Sequence, residues 1–153
     1  MDIMTCLVPT GVARDGMTFG EALQECVDKR VPGIPYVDDD GNIIGRFSVR
    51  NSFFRASIPK DLIKGAHLLG DDLEHLEMPQ QHIKELLALP IHNMVLEHIV
   101  TLRPKSQMIT ALALMEKFNT AYLFVTDDTQ YHGVVTRLGI ARQILSREQD
   151  EIL

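Results

Sequence analysis

The sequence predicts an α/β (α+β) protein built from two copies of one β-α-β-β-α unit, packed as a pseudo-two-fold pair with a helical connector between them. Three observations predict it. The amphipathic stretch FGEALQECV at 19–27 has a counterpart, MITALALME, at 108–116, with Ala22 and Ala111 standing 89 residues apart. Each stretch is followed by a short apolar run, a polar turn and a second apolar run. A small sheet covered on one face buries too little surface alone, so two such units are expected to pack together.

In the first unit, Phe19, Ala22, Leu23, Cys26 and Val27 follow the spacing of a helix with one buried face. Ile34 to Val37 then reads as a strand, Asp38–Gly41 as a turn, and Asn42 to Phe47 as a return strand closing on Gly45-Arg46-Phe47-Ser48. A short helix over 49–56 follows, anchored by Phe53 and Phe54. In the second unit Met108, Ala111, Leu112 and Met115 repeat the helical stripe. Tyr122 to Val125, Thr126–Gln130 and Tyr131 to Val135 repeat the strand, turn and strand, closing on Gly133-Val134-Val135-Thr136. The last helix is expected over 138–148, with Ile140, Ile144 and Leu145 on its apolar side. The closing strands are 88 residues apart and the helices 89, which places a one-residue length change in the loop between helix and strands. The domain boundaries expected are 1–57 and 90–153 for the two repeats and 58–89 for the connector. Within the connector, Pro59–Leu69 and Pro79–Leu89 read as helices, with Pro79 suited to a helix start.

Composition narrows the function. The hydrophobic content of 45% suits a packed core, and the net charge of −6 argues against a broad nucleic-acid-binding face. No apolar run approaches the roughly 20 residues that span a bilayer. The N-terminus lacks a basic signal-peptide region, so a cytoplasmic protein without membrane insertion is expected. Cys6 and Cys26 fit no metal or disulfide pattern, and Cys26 reads as a reduced core thiol. Met4, Met17, Met94, Met108 and Met115 read as core filler. The six histidines lack metal-ligand spacing, and Asp38-Asp39-Asp40 sits in a hairpin turn. No nucleophile elbow or phosphate-binding glycine loop is present, so no enzymatic activity, metal site or required cofactor is expected.

Several short elements, each occurring twice in one order, resemble the CBS-domain family. Asp2-Ile3-Met4-Thr5 and Asn93-Met94-Val95 resemble its opening element, and Ile99–Pro104 its first strand. Ile34-Pro35-Tyr36-Val37-Asp38 is similar to its L-P-V-V-D element, and Gly45–Ser48 and Gly133–Thr136 to its G-h-h-[ST] ending, where h is apolar. The resemblance implies a paired, or Bateman, module with two inter-repeat clefts. It implies AMP, ADP or ATP as candidate regulatory ligands, a homodimer, and a partner protein controlled in trans. The alternative is a ligand-free dimerisation or scaffold module.

Carried onto this sequence, the resemblance gives one cleft Thr5 and Pro32-Gly33-Ile34 for the base, with Thr136 and Arg137 toward the phosphate. The family's ribose carboxylate is replaced there by Gly139. The other cleft takes Val95 and Thr120-Ala121-Tyr122 for the base, with Ser48, Arg50 and Asn51 toward ribose and phosphate. Asn51 stands at the carboxylate position and keeps a neutral acceptor, which makes this cleft the stronger candidate on sequence. Ser48 and Thr136 also suit helix caps, Arg50 and Arg137 solvated charges, and Tyr122 a core position.

Overall fold

The computed structural model describes residues 2–56, 80–128 and 130–152. The first repeat opens with a 3-10 turn at Ile3–Cys6. It continues through α1 (Phe19–Lys29), β1 (Gly33–Val37), β2 (Ile43–Ser48) and α2 (Val49–Ala56). After α3 (Gln80–Leu87), a second 3-10 turn at Ile91–Met94 opens the other repeat. That repeat contains β3 (Thr101–Leu102), α4 (Met108–Lys117), β4 (Tyr122–Thr126), β5 (Tyr131–Thr136) and α5 (Arg137–Ile152). The expected helix over 59–69 lies outside the described residues, as do the side chain of Phe54 and all of Pro79. None of the described helices is long and apolar enough to cross a membrane.

Helix α1 begins where Thr18 and Glu21 form a reciprocal cap, satisfying two N–H groups the helix itself cannot. Phe19, Ala22 and Cys26 are buried beneath it, Leu23 is half-buried, and Val27 is 63% exposed. The buried stripe is therefore narrower than the sequence spacing suggests. Met94, Met108 and Met115 are core residues as expected, whereas Met4 is exposed. The final helix runs beyond the expected 138–148 at both ends; Ile140 is buried, while Leu138, Ile144 and Leu145 face outward.

The sheet register relocates the one-residue difference between repeats. Gly33 pairs with Ser48 and Tyr122 with Thr136; Pro35 pairs with Arg46 and Phe124 with Val134. Helix and first strand thus share the 89-residue offset, and only the return strand moves to 88. The length change lies in the hairpin turn, 38–42 against 127–130, and not between helix and sheet. A hairpin tip is solvated and absorbs a residue without disturbing the core. The opening strand also differs. β3 runs parallel to β4 in the second repeat, but the matching position in the first repeat is a single bridge, Ala13 to Tyr36. Three residues on, Gly16 turns the chain toward α1 at φ 91°.

The repeats are interlocked by their leading segments. Val8, from the first repeat, bridges Val134 on β5, with backbone hydrogen bonds of 2.9 Å in both directions. Leu96, leading the second repeat, bridges Arg46 on β2 with bonds of 2.8 and 2.9 Å. Each leader therefore lies against the other repeat's return strand. β4 is buried on both faces, which suits its continuous apolar run. Tyr122 and Phe124 join the core shared with Phe19, Ile34 and Phe47, while Leu123 and Val125 join Met108, Met115, Val135 and Ile140.

Burial governs ionisation here. It pushes the Cys26 thiol up from 9.0 to about 12. Burial likewise raises the Tyr131 phenol from 10.0 to about 12, against the opposing effect of its hydrogen bond with Thr10. The Thr10–Tyr131 hydroxyl separation is 2.6 Å. Both groups keep their protons in the folded chain at a pH where the unfolded chain has lost them. Stability is then fully present below their ordinary values and falls as pH rises through the window from about 9 to 12. Melting temperature followed from pH 8 to 12 is expected to drop across that window, and less steeply in Tyr131→Phe.

Candidate functional site

Two clefts flank the line where β1 and β4 meet, and the sequence treats them differently. The first is an open cavity of about 420 Å3 lined by Arg30, Pro32, Ala121, Thr136, Arg137, Leu138 and Ala141. The second retains a cavity of only about 30 Å3, lined by Arg46, His98, Val100, Phe118, Thr120, Tyr122 and Phe124. Small-molecule sites generally occupy some 300–1,000 Å3, so the first has ligand dimensions and the second does not.

The end of β5 and the start of α5 build the polar rim of the first cleft. Thr136 Oγ1 accepts a hydrogen bond from the Gly139 N–H at 2.9 Å, capping α5. Arg137 donates to the Thr120 carbonyl at 3.3 Å and stands 4.0 Å from Glu116, an exposed pair of little energetic weight. Across the cleft, the chain leaves α1 through Arg30, whose backbone is left-handed at φ 57°, ψ 47°. Pro32 follows, its carbonyl accepting from the Val49 N–H at 3.0 Å; Ala121 accepts from Arg137 in the same way. The cavity thus offers apolar walls at Pro32, Ala121, Leu138 and Ala141, with two arginines, Arg30 and Arg137, in its lining. Among the described residues no carboxylate lines it.

Of the residues assigned to this cleft from sequence, Pro32, Thr136 and Arg137 line the cavity. Gly33 and Ile34 are buried in the strand, Ile34 completely. Thr5 is exposed on the opening turn and donates to the Asp2 carbonyl at 2.9 Å. Arg30, Leu138 and Ala141 were not singled out from sequence. Arg30 gives no sequence signal; it follows α1 with a left-handed backbone. Leu138 and Ala141 follow from helical spacing after Thr136.

Tyr122 occupies the second cleft. Its ring lies so close over Gly33 that a Cβ there would stand 2.6 Å from the phenolic oxygen. Arg46 Nη1 donates to that oxygen at 2.7 Å, with the guanidinium carbon 5.5 Å from the ring centroid. Burial raises the Tyr122 pKa, opposed by Arg46 and by a hydrogen bond with Ser48, so the hydroxyl remains protonated. Arg46 Nε is buried without a hydrogen-bond partner among the described residues. Thr120 shares the lining of the residual cavity with Tyr122. Ser48 is buried, Val95 packs over Gly45, Asn51 is half-buried on α2 and Arg50 is exposed; none of these four lines that cavity. Ala121 lines the first cleft instead. Because β1 and β4 share the 89-residue offset, Tyr122 is the counterpart of Gly33, not of Ile34.

Two interlocked repeats, with leaders exchanged and a cleft on either side, define a tandem-repeat module. Residues 91–146, the second repeat, match the family model of the CBS domain, and the whole chain has the fold of a CBS-domain pair. The CBS domain of a CBS-domain-containing membrane protein from Sphaerobacter thermophilus is similar at 19% identity and a TM-score of 0.66, over 93% of this chain and 86% of that one. The structure of CBSX2 in complex with AMP is similar at 18% identity and a TM-score of 0.64, over 95% and 97%. The CBS domain pair of protein MJ0100, in complex with 5'-methylthioadenosine and S-adenosyl-L-methionine, is similar at 17% identity and a TM-score of 0.62, over 94% and 99%. No curated protein matches the chain in sequence.

Proposed function

We propose that this CBS pair is a regulatory, non-catalytic module that takes an adenosine-containing ligand in the Pro32–Thr136 cleft and controls a partner protein in trans. The observation that carries this reading is the 420 Å3 cavity between the repeats, apolar at its walls and cationic at its rim. The same fold holds AMP in CBSX2, and 5'-methylthioadenosine and S-adenosylmethionine in the MJ0100 pair. A ligand spanning Pro32 of one repeat and Thr136 of the other is sensitive to their relative packing. Such differential binding is what shifts a two-state equilibrium. Sequence favoured the Asn51 cleft; the ring of Tyr122 in that cleft moves the proposal to the other. The function includes homodimerisation through the outward face of α5, where Leu138, Ala141 and Leu145 form an apolar stripe, and sedimentation at high micromolar concentration reads the oligomeric state.

A thermal-shift series with AMP, ADP, ATP and S-adenosylmethionine tests the reading. At a hundredfold excess over Kd, a bound ligand is expected to raise the melting temperature by about 5–10 °C. If none of these compounds shifts it at millimolar concentration, the ligand-free scaffold alternative replaces this one.

A further inference from the structure

We propose that Arg30 is a specificity-determining residue, acting with Arg137 to make this cleft a reader of phosphate rather than of ribose. The inference rests on the functional reading above and names the ligand class: adenine nucleotides carrying at least one phosphate, to the exclusion of neutral or cationic adenosyl compounds.

Arg30 occupies a conformation that its residue type disfavours. At φ 57° it ends α1 where glycine is the usual occupant, because a Cβ crowds the following carbonyl. The equivalent position in the second repeat is Asn119, at φ 49°, and asparagine tolerates that region. The first repeat therefore holds an arginine where backbone geometry favours glycine or asparagine. What the arginine adds is a cationic side chain at a residue that lines the cavity. Among the described residues Arg30 makes no ion pair, so its guanidinium is available to a ligand.

The opposite wall completes the selection. Gly139 supplies no acceptor for ribose hydroxyls, and its N–H is already given to Thr136. With Arg30 on one side, Arg137 on the other and no carboxylate among the described lining residues, the charged groups at the rim favour an anion. A phosphate monoester carries about two negative charges near neutral pH and accepts bidentate hydrogen bonds from guanidinium groups. A sulfonium compound brings positive charge to the same rim and is repelled.

Calorimetric titration of the full chain with AMP, 2'-deoxy-AMP, adenosine and S-adenosylmethionine tests the proposal, using wild type, Arg30→Gly and Arg30→Lys. Charge-assisted hydrogen bonds predict AMP binding at least about tenfold more tightly than adenosine or S-adenosylmethionine. Removing the 2'-hydroxyl is expected to change affinity by less than about threefold, since no carboxylate among the described lining residues receives it. Arg30→Gly is expected to weaken AMP about tenfold without lowering the melting temperature, because glycine suits the left-handed backbone. Arg30→Lys retains most of the affinity. A merely structural Arg30 would give the reverse for Arg30→Gly: lower stability with AMP binding intact. That result, or adenosine or S-adenosylmethionine binding as tightly as AMP, overturns the inference while leaving the functional reading in place. If none of the four compounds binds wild type, both fail.

Discussion

Replacing Gly133 by alanine is expected to lower stability by about 2–3 kcal/mol, and Gly45→Ala by a similar amount, through overpacking against backbone. These glycines are the two points where a leading segment crosses the other repeat's return strand. A Cβ on Gly133 would stand 2.5 Å from the Val8 carbonyl oxygen; one on Gly45 would meet Leu96 O at 2.8 Å and Val95 Cγ1 at 2.6 Å. The obstructing oxygens belong to backbone that is itself hydrogen-bonded into the bridges Val8–Val134 and Leu96–Arg46, so neither swings aside cheaply. Both substitutions should lower the urea midpoint with little change in slope, as the surface exposed on unfolding stays the same. Gly139→Ala is the control. Its Cβ would meet the end of the Thr136 side chain at 3.0 Å and the Cys6 carbonyl oxygen at an ordinary 3.7 Å, so its expected effect is smaller, within about 1 kcal/mol. Equal effects at all three sites would mean that glycine content, not the exchange of leaders, is being read.

Sequence carries the repeated part of this fold well, because helix spacing and strand–turn–strand order are local. Both amphipathic helices, both hairpins and the buried Cys26 are visible in the pattern of residues. What escapes it depends on register or on long-range contact. A one-residue slip between repeats is visible in the numbering, but only the pairing of Gly33 with Ser48 and Tyr122 with Thr136 places it in the hairpin turn. That register makes Tyr122 the counterpart of Gly33, and it is the Tyr122 ring that fills the second cleft. Exposure of Val27 and Leu145 is likewise invisible to periodicity, since an apolar residue at the edge of a stripe reads like one at its centre. Arg30 is the clearest case. A left-handed glycine or asparagine can be anticipated; a left-handed arginine beside the cleft cannot.

Tyr122→Ala is expected to cost about 3–5 kcal/mol, the range for truncating a fully packed aromatic side chain. Tyr122 is 6% exposed, packs against Phe124 and covers Gly33. Part of the cost is polar, and a double-mutant cycle separates it. Tyr122→Phe keeps the ring but removes the oxygen that receives Arg46 Nη1 at 2.7 Å. With Arg46 Nε already buried and unpartnered, the guanidinium then loses a second contact, for an expected loss of about 1–3 kcal/mol. Arg46→Met removes the charge while keeping an unbranched apolar chain of useful length. In the Tyr122→Phe background it is expected to recover much of that loss, because an apolar pair leaves no buried donor unsatisfied. Urea denaturation of wild type, the two single variants and the double variant measures the coupling. Additive losses would mean that Arg46 and Tyr122 stabilise the fold independently, and the second cleft would then be closed by the bulk of the ring alone.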